Sequence, residues 1–94
     1  MITIERMVEI IANNEITYIK TSPDDSIRVF QQFKCTKERL VGDYPAKYRN
    51  DLIGFDLEDD TYYPRFATMQ DEWENEKRDY IARKAEWCRK YGSN

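Results

Sequence analysis

Carboxylates are the residues of this chain whose type and spacing could do chemistry. Asp56, Glu58 and Asp60 recur at every second position, with Asp59 between the last two. On a strand that spacing puts them on one side at intervals of about 6–7 Å. Asp71 and Glu74 stand three residues apart, and Glu72 and Glu76 four apart. On a helix each pair lies about 5–6 Å apart. Rows of anions at such intervals resemble the phosphates of a nucleic-acid strand, since duplex DNA carries one charge per roughly 1.7 Å of axis. A surface of this kind can occupy the cationic groove of a DNA-binding protein, with electrostatic and therefore salt-sensitive affinity. The blander account is a solvated acidic face, with acids gathered where a helix N-terminus favours them. Asp56, Glu58, Asp59 and Asp60 also offer hard oxygen ligands. The run lacks the spaced calcium-loop pattern with its central Gly and terminal Glu, so no metal is expected.

Other chemistries have little footing. Histidine is absent, which removes the commonest general base and metal ligand and any Ser–His or Cys–His pair. There is neither a phosphate-binding G-x-x-x-x-G-K-[ST] loop nor a dinucleotide-binding G-x-G-x-x-G turn. Nothing places two carboxylates together in an apolar pocket. The expectation is a binding protein, not an enzyme, with no catalytic residue and no cofactor. Cys35 and Cys88 lie far apart and form no C-x-x-C pattern. With no signal peptide, a reduced cytoplasmic setting is expected. No apolar run approaches the roughly 20 residues that span a bilayer, and no membrane partner is expected.

Net charge is −3, but its distribution is uneven. Residues 51–76 hold nine acids against one base, Arg65, for a net −8, and the rest of the chain is +5. Such a dipole favours oriented binding.

The elements that must position these residues form one α+β domain over residues 1–94, since a chain this short makes a single modest core. The pattern predicts an N-terminal helix, a three- to four-stranded antiparallel sheet and a long C-terminal helix. Ile4, Met7, Val8 and Ile11 give a helical stripe over about 3–13, ended by Asn13 and Asn14 in the left-handed conformation. Residues 15–21 alternate as a strand: Ile16, Tyr18 and Lys20 on one side, Thr17, Ile19 and Thr21 on the other. Ser22-Pro23-Asp24-Asp25-Ser26 turns the chain into a second strand, 27–35, on which Ile27, Val29, Gln31, Phe33 and Cys35 share a face. Arg39-Leu40-Val41 is expected to open a third strand. Residues 51–58 form the last one, with Ile53, Phe55 and Leu57 on one face and Asp56 and Glu58 outward. Asp59, Asp60 and Pro64 mark a loop. The last helix spans about 69–91. Thr68 and Asp71 form a capping-box-like start, and Gly92 stands just past the end.

Phe66, Trp73, Tyr80 and Trp87 recur every seven residues, which keeps them near one face of a helix with a drift of about 20° per repeat. Trp73, Tyr80 and Trp87 are expected to serve core and dimer packing, because so small a domain can hardly cover a helix of this length. A homodimer is therefore expected. Arg28, Lys34, Lys37, Arg39, Lys47 and Arg49 surround the middle of the chain with Tyr44 and Tyr48 among them. Bases and aromatics together could hold a nucleic-acid strand or nucleotide, but the isoelectric point of about 5.0 argues against direct nucleic-acid binding.

About ninety residues, a compact α/β build, the acidic segment Asp51 to Glu76 and the lack of a catalytic motif together give a whole-chain likeness. The chain resembles the small early proteins of T-even bacteriophages, in particular the dimeric acidic DNA mimics among them that block host restriction. The resemblance implies occupancy of the DNA-binding part of a host restriction nuclease, or another DNA-binding protein, in the host cytoplasm. Asp56, Glu58, Asp59, Asp60, Asp71, Glu72, Glu74 and Glu76 are, from their spacing, the residues expected to stand in for phosphates. A net charge of −3 is mild for that class, so many bases would have to be paired internally or turned away. The other reading of the same residues is a protein-interaction adaptor that uses the aromatic C-terminal helix.

Overall fold

The computed structural model describes residues 1–32 and 34–92. In chain order the elements are β1 (Ile2–Thr3), α1 (Ile4–Asn13), β2 (Ile16–Ile19), β3 (Arg28–Gln31), α2 (Lys37–Gly42), α3 (Ala46–Arg49), β4 (Leu52–Glu58), β5 (Thr61–Phe66) and α4 (Gln70–Trp87), with a wider π turn over Cys88–Gly92. The strands form one sheet in the order β1-β4-β5-β2-β3. It has five strands and is mixed, because β2 runs parallel to β5 while the other neighbours are antiparallel.

The apolar stripe of α1 does what its spacing predicts: Ile4, Met7 and Ile11 are buried. The Thr3 hydroxyl accepts from the Arg6 N–H at 3.1 Å and caps the start. The end differs from expectation. Asn14 is extended, and the side-chain amides of Asn13 and Asn14 donate to the Glu9 and Ile10 carbonyls at 2.8 and 2.7 Å. Side-chain bonds back to the last turn thus stand at the end of the helix in place of the expected left-handed stop.

On β2, Thr17 and Ile19 face the core while Ile16 and Tyr18 face out. The second strand is shorter than its pattern suggests, and its inward residue is Phe30, paired opposite Thr17. The face that carries Ile27 and Val29 is the outer one. Cys35 is buried, but beyond the strand, and Phe33 lies outside the described residues. Arg39-Leu40-Val41 belongs to α2, not a strand. Thr36 caps that helix through its hydroxyl, and Leu40 drops into the core.

β4 is not the last strand. Asp59 and Asp60 adopt φ of 50° and 64°, the left-handed pair of a two-residue hairpin turn, and β5 returns alongside β4 in register from Glu58↔Thr61 to Leu52↔Phe66. Pro64 is tolerated inside β5 because β2 pairs only with Thr61 and Tyr62, which leaves the far half of β5 an edge. A register shift between Leu52 and Gly54 breaks the alternation of β4. Ile53, at the shift, is exposed while Phe55 is buried; Leu57 keeps the Phe55 side of the strand but lies near the hairpin end, where it is exposed.

α4 begins beside that free half of β5. Trp73 enters the core among Tyr44, Tyr48 and Phe66, with ring centroids 5.0 Å from both Tyr48 and Phe66. Phe66 itself sits on β5, ahead of the helix. Thr68 does not cap the helix. Met69 occupies the cap without a side-chain bond, and the Asp51 carboxylate accepts from the N–H groups of Thr68 and Met69 at 2.8 and 2.6 Å and from the Thr68 hydroxyl at 2.9 Å.

Candidate interaction surfaces

The eight carboxylates expected to act together divide into three groups. Asp56 and Glu58 project from the outer face of β4, and Asp59 and Asp60 form the tip of the hairpin. All four are exposed. Asp71 and Glu72 lie at the exposed start of α4. Glu74 and Glu76 lie nearer the body of the domain and are partly covered.

Half of the eight are engaged by cations. Arg65 pairs with Asp56 at 3.4 Å across the β4–β5 ladder. Lys77 pairs with Glu74 at 3.3 Å, one turn along α4. Lys47 of α3 bridges Glu72 at 3.1 Å and Glu76 at 2.8 Å. Tyr48 adds its hydroxyl to Glu76. These bonds hold the Glu76 carboxyl below its usual range, the Lys47 ammonium first and the Tyr48 hydroxyl second, and they raise the Lys47 ammonium in turn. The cluster fastens α3 to α4, so Glu72 and Glu76 have an architectural task. Among the described residues no ion pair involves Glu58, Asp59, Asp60 or Asp71.

A shallow groove of about 230 Å³ runs between the two parts. Asp56, Glu58, Tyr63 and Arg65 line one side, and Gln70, Glu74 and Lys77 line the other. Its charges alternate in sign, and the Lys77 ammonium lies 5.9 Å from the centre of the Tyr63 ring. Among the described residues no three carboxylate or thiol groups gather as metal ligands.

The basic middle does not form a stacking platform. Tyr44 and Tyr48 are buried at 1% and 0% exposure, and the Tyr44 hydroxyl donates to the Lys20 carbonyl at 2.7 Å. Of the bases, Arg28 pairs with Asp43, Lys37 with Glu5, and Arg49 donates to the Tyr44 carbonyl. The positive charge of this region is largely spent inside the chain.

Comparison with family models, curated proteins and solved structures finds no match. No helix of the described residues is long and apolar enough to cross a membrane.

The aromatic stripe separates by depth. Trp73 is 1% exposed, Tyr80 is half-buried, and Trp87 is 60% exposed. Among the described residues the last side-chain tether of α4 to the domain is Asp25, which accepts from the Tyr80 hydroxyl at 3.2 Å and from the Lys84 ammonium. From Ile81 to Tyr91 every side chain is exposed. At about 100° per residue Trp87 lies within about 40° of the helical face of Trp73, and among the described residues the helix is exposed all round from Ile81 on. Trp87 and Tyr91 lean together there, ring centroids 5.7 Å apart. Cys88, a free thiol, sits between them in sequence. The 44 Å long axis of the molecule against its 21 Å thickness fits a helix that overhangs its own domain.

The seven-residue spacing picks out Trp73, Tyr80 and Trp87, and Tyr91, which flanks that stripe in the sequence, has its ring beside that of Trp87. The outer sheet face is a second surface that the alternation marked without saying which side was inward. Ile16, Tyr18 and Val29 are 52%, 42% and 51% exposed there.

Proposed function

We propose that this chain is a protein-binding module whose contact element is the projecting half of α4. The observation that carries the reading is the run of exposed Ile81, Trp87 and Tyr91 on a helix that leaves its own domain. Exposed aromatics on a rigid helix supply large contact area at low entropic cost, and helix faces of this kind are a recurring recognition element. Trp and Tyr are over-represented among the residues that dominate interface energies, where removal of one typically costs 2 kcal/mol or more, about thirtyfold in affinity. The test is capture from a lysate of the cell that hosts the protein, with wild type, W87A/Y91A and D59K/D60K as baits. The proposal expects the aromatic variant to lose the partner and the charge variant to keep it. Retention by W87A/Y91A would refute it.

A second reading has one observation in its favour. Glu58, Asp59 and Asp60 are exposed around a tight hairpin with no cation pairing them, a compact anionic tip that could meet a cationic DNA-binding groove. It narrows the nucleic-acid mimic from eight carboxylates to the hairpin and Asp71, because the other four are engaged. The same baits decide it: mimicry requires D59K/D60K to abolish capture, and raised salt to do so as well.

A further inference from the structure

Among the described residues, two groups of exposed apolar side chains stand apart and do not cover each other. One is the overhanging end of α4, where Trp87 and Tyr91 lean together. The other is the outer face of β2 and β3, with Ile16, Tyr18 and Val29, where β3 is also an unpaired edge. Their borders carry opposite charge. Residues 83–91 of α4 hold four bases, Arg83, Lys84, Arg89 and Lys90, against the single acid Glu86. The outer sheet face continues across β5 to β4, where Glu58 projects beside the Asp59-Asp60 turn. With Asp56 engaged by Arg65 and Lys84 by Asp25, the charges left to meet are Arg83, Arg89 and Lys90 against Glu58, Asp59 and Asp60. An apolar helix face with a basic border thus meets its complement on an apolar sheet face with an acidic border. Within one chain these side chains all stay exposed, so a complement for either surface comes from another molecule.

We infer that the projecting half of α4 seats on the outer sheet face of a second copy of this chain, and that the second copy returns the same contact. This rests on the reading of α4 as the contact element and names its partner. A two-fold arrangement of this kind is isologous and closes at two copies. With about 100 Å² of exposed surface for each of two helix and three sheet residues, the two contacts together bury on the order of 1,000 Å², at the threshold for a specific interface. The dimer is therefore one whose dissociation is measurable.

Sedimentation equilibrium from low to high micromolar concentration tests it, using wild type, W87A/Y91A on the helix and I16K/V29K on the sheet. Circular dichroism monitors folding, and Tyr18→Thr with Val29→Thr replaces the lysine pair if that pair unfolds. The inference expects a wild-type dimer whose dissociation constant rises at least tenfold in either set, and rises with salt in the wild type. A wild-type monomer at high micromolar concentration overturns the inference but leaves the α4 reading to the capture experiment. Weakening by the helix set alone overturns the sheet as the seat and keeps α4 as the contact element. A dimer sensitive only to the sheet set, or to neither, overturns both.

Discussion

Asp60 shows how one side chain can serve a surface and strain a turn. With Asp59 it takes the left-handed conformation, which costs a residue with a Cβ roughly 1 kcal/mol and costs glycine almost nothing. Asp60→Gly should therefore stabilise the domain by up to about 1 kcal/mol, a rise of roughly 4–8 °C in Tm for a chain of this size, read by thermal unfolding. If Tm falls, the carboxylate has a structural role that its exposure does not suggest. Asp51 is the opposite case, an acid that builds. Bonds from the Thr68 backbone first, and then from Met69 and the Thr68 hydroxyl, hold its carboxyl below the ordinary 3.8. A lowered carboxylate contributes stability that is present above its unfolded pKa and is lost as pH falls through the folded one. Asp24, Asp25 and Glu76 are lowered too, by Ser26, Lys84 and Lys47 respectively as the leading cause. Tm should hold steady above about pH 5 and fall below about pH 4. Asp51→Asn should start lower at neutral pH and lose less on acidification. Parallel acid slopes for the two proteins would contradict the role given to Asp51.

At the scale of the element, α4 has two halves with separate duties. Trp73→Ala empties the aromatic cluster and should cost about 3–5 kcal/mol, enough to unfold much of so small a domain. Trp87→Ala, on the overhang, should leave Tm within about 2–4 °C in dilute protein, because surface substitutions away from structural features stay within roughly 0.5 kcal/mol. Chemical denaturation of both variants checks the contrast, and equal losses would mean the overhang is packed. Helices α1 and α4 were legible because their periodicity and capping acids are local signals. α2 was misread because Leu40-Val41 is an apolar pair with one β-branched residue, too short for period to decide, while the Thr36 cap was overlooked. β5 was missed because Pro64 reads as a breaker, and only the topology shows that Pro64 lies on a half-strand with a free edge. The mixed sheet follows from the β2–β5 pairing, a contact between residues more than forty apart that no local pattern announces. The ion pairs of Lys47 with Glu72 and Glu76 depend on α3 meeting α4, and were equally invisible.

For the whole molecule, charge and apolar surface are arranged with a direction. Acids collect at the β4–β5 tip and the start of α4, bases collect on the overhang, and the two uncovered apolar faces lie beside opposite charges. The account stands or falls on whether Trp87 is open in the isolated chain and covered on association. Trp73→Phe leaves Trp87 as the only indole, and its fluorescence quenching by acrylamide reports access directly. The account predicts quenching like that of a free indole in dilute protein and strong protection in the associated state. Protection already present in dilute monomer, or equal quenching in both states, would contradict it.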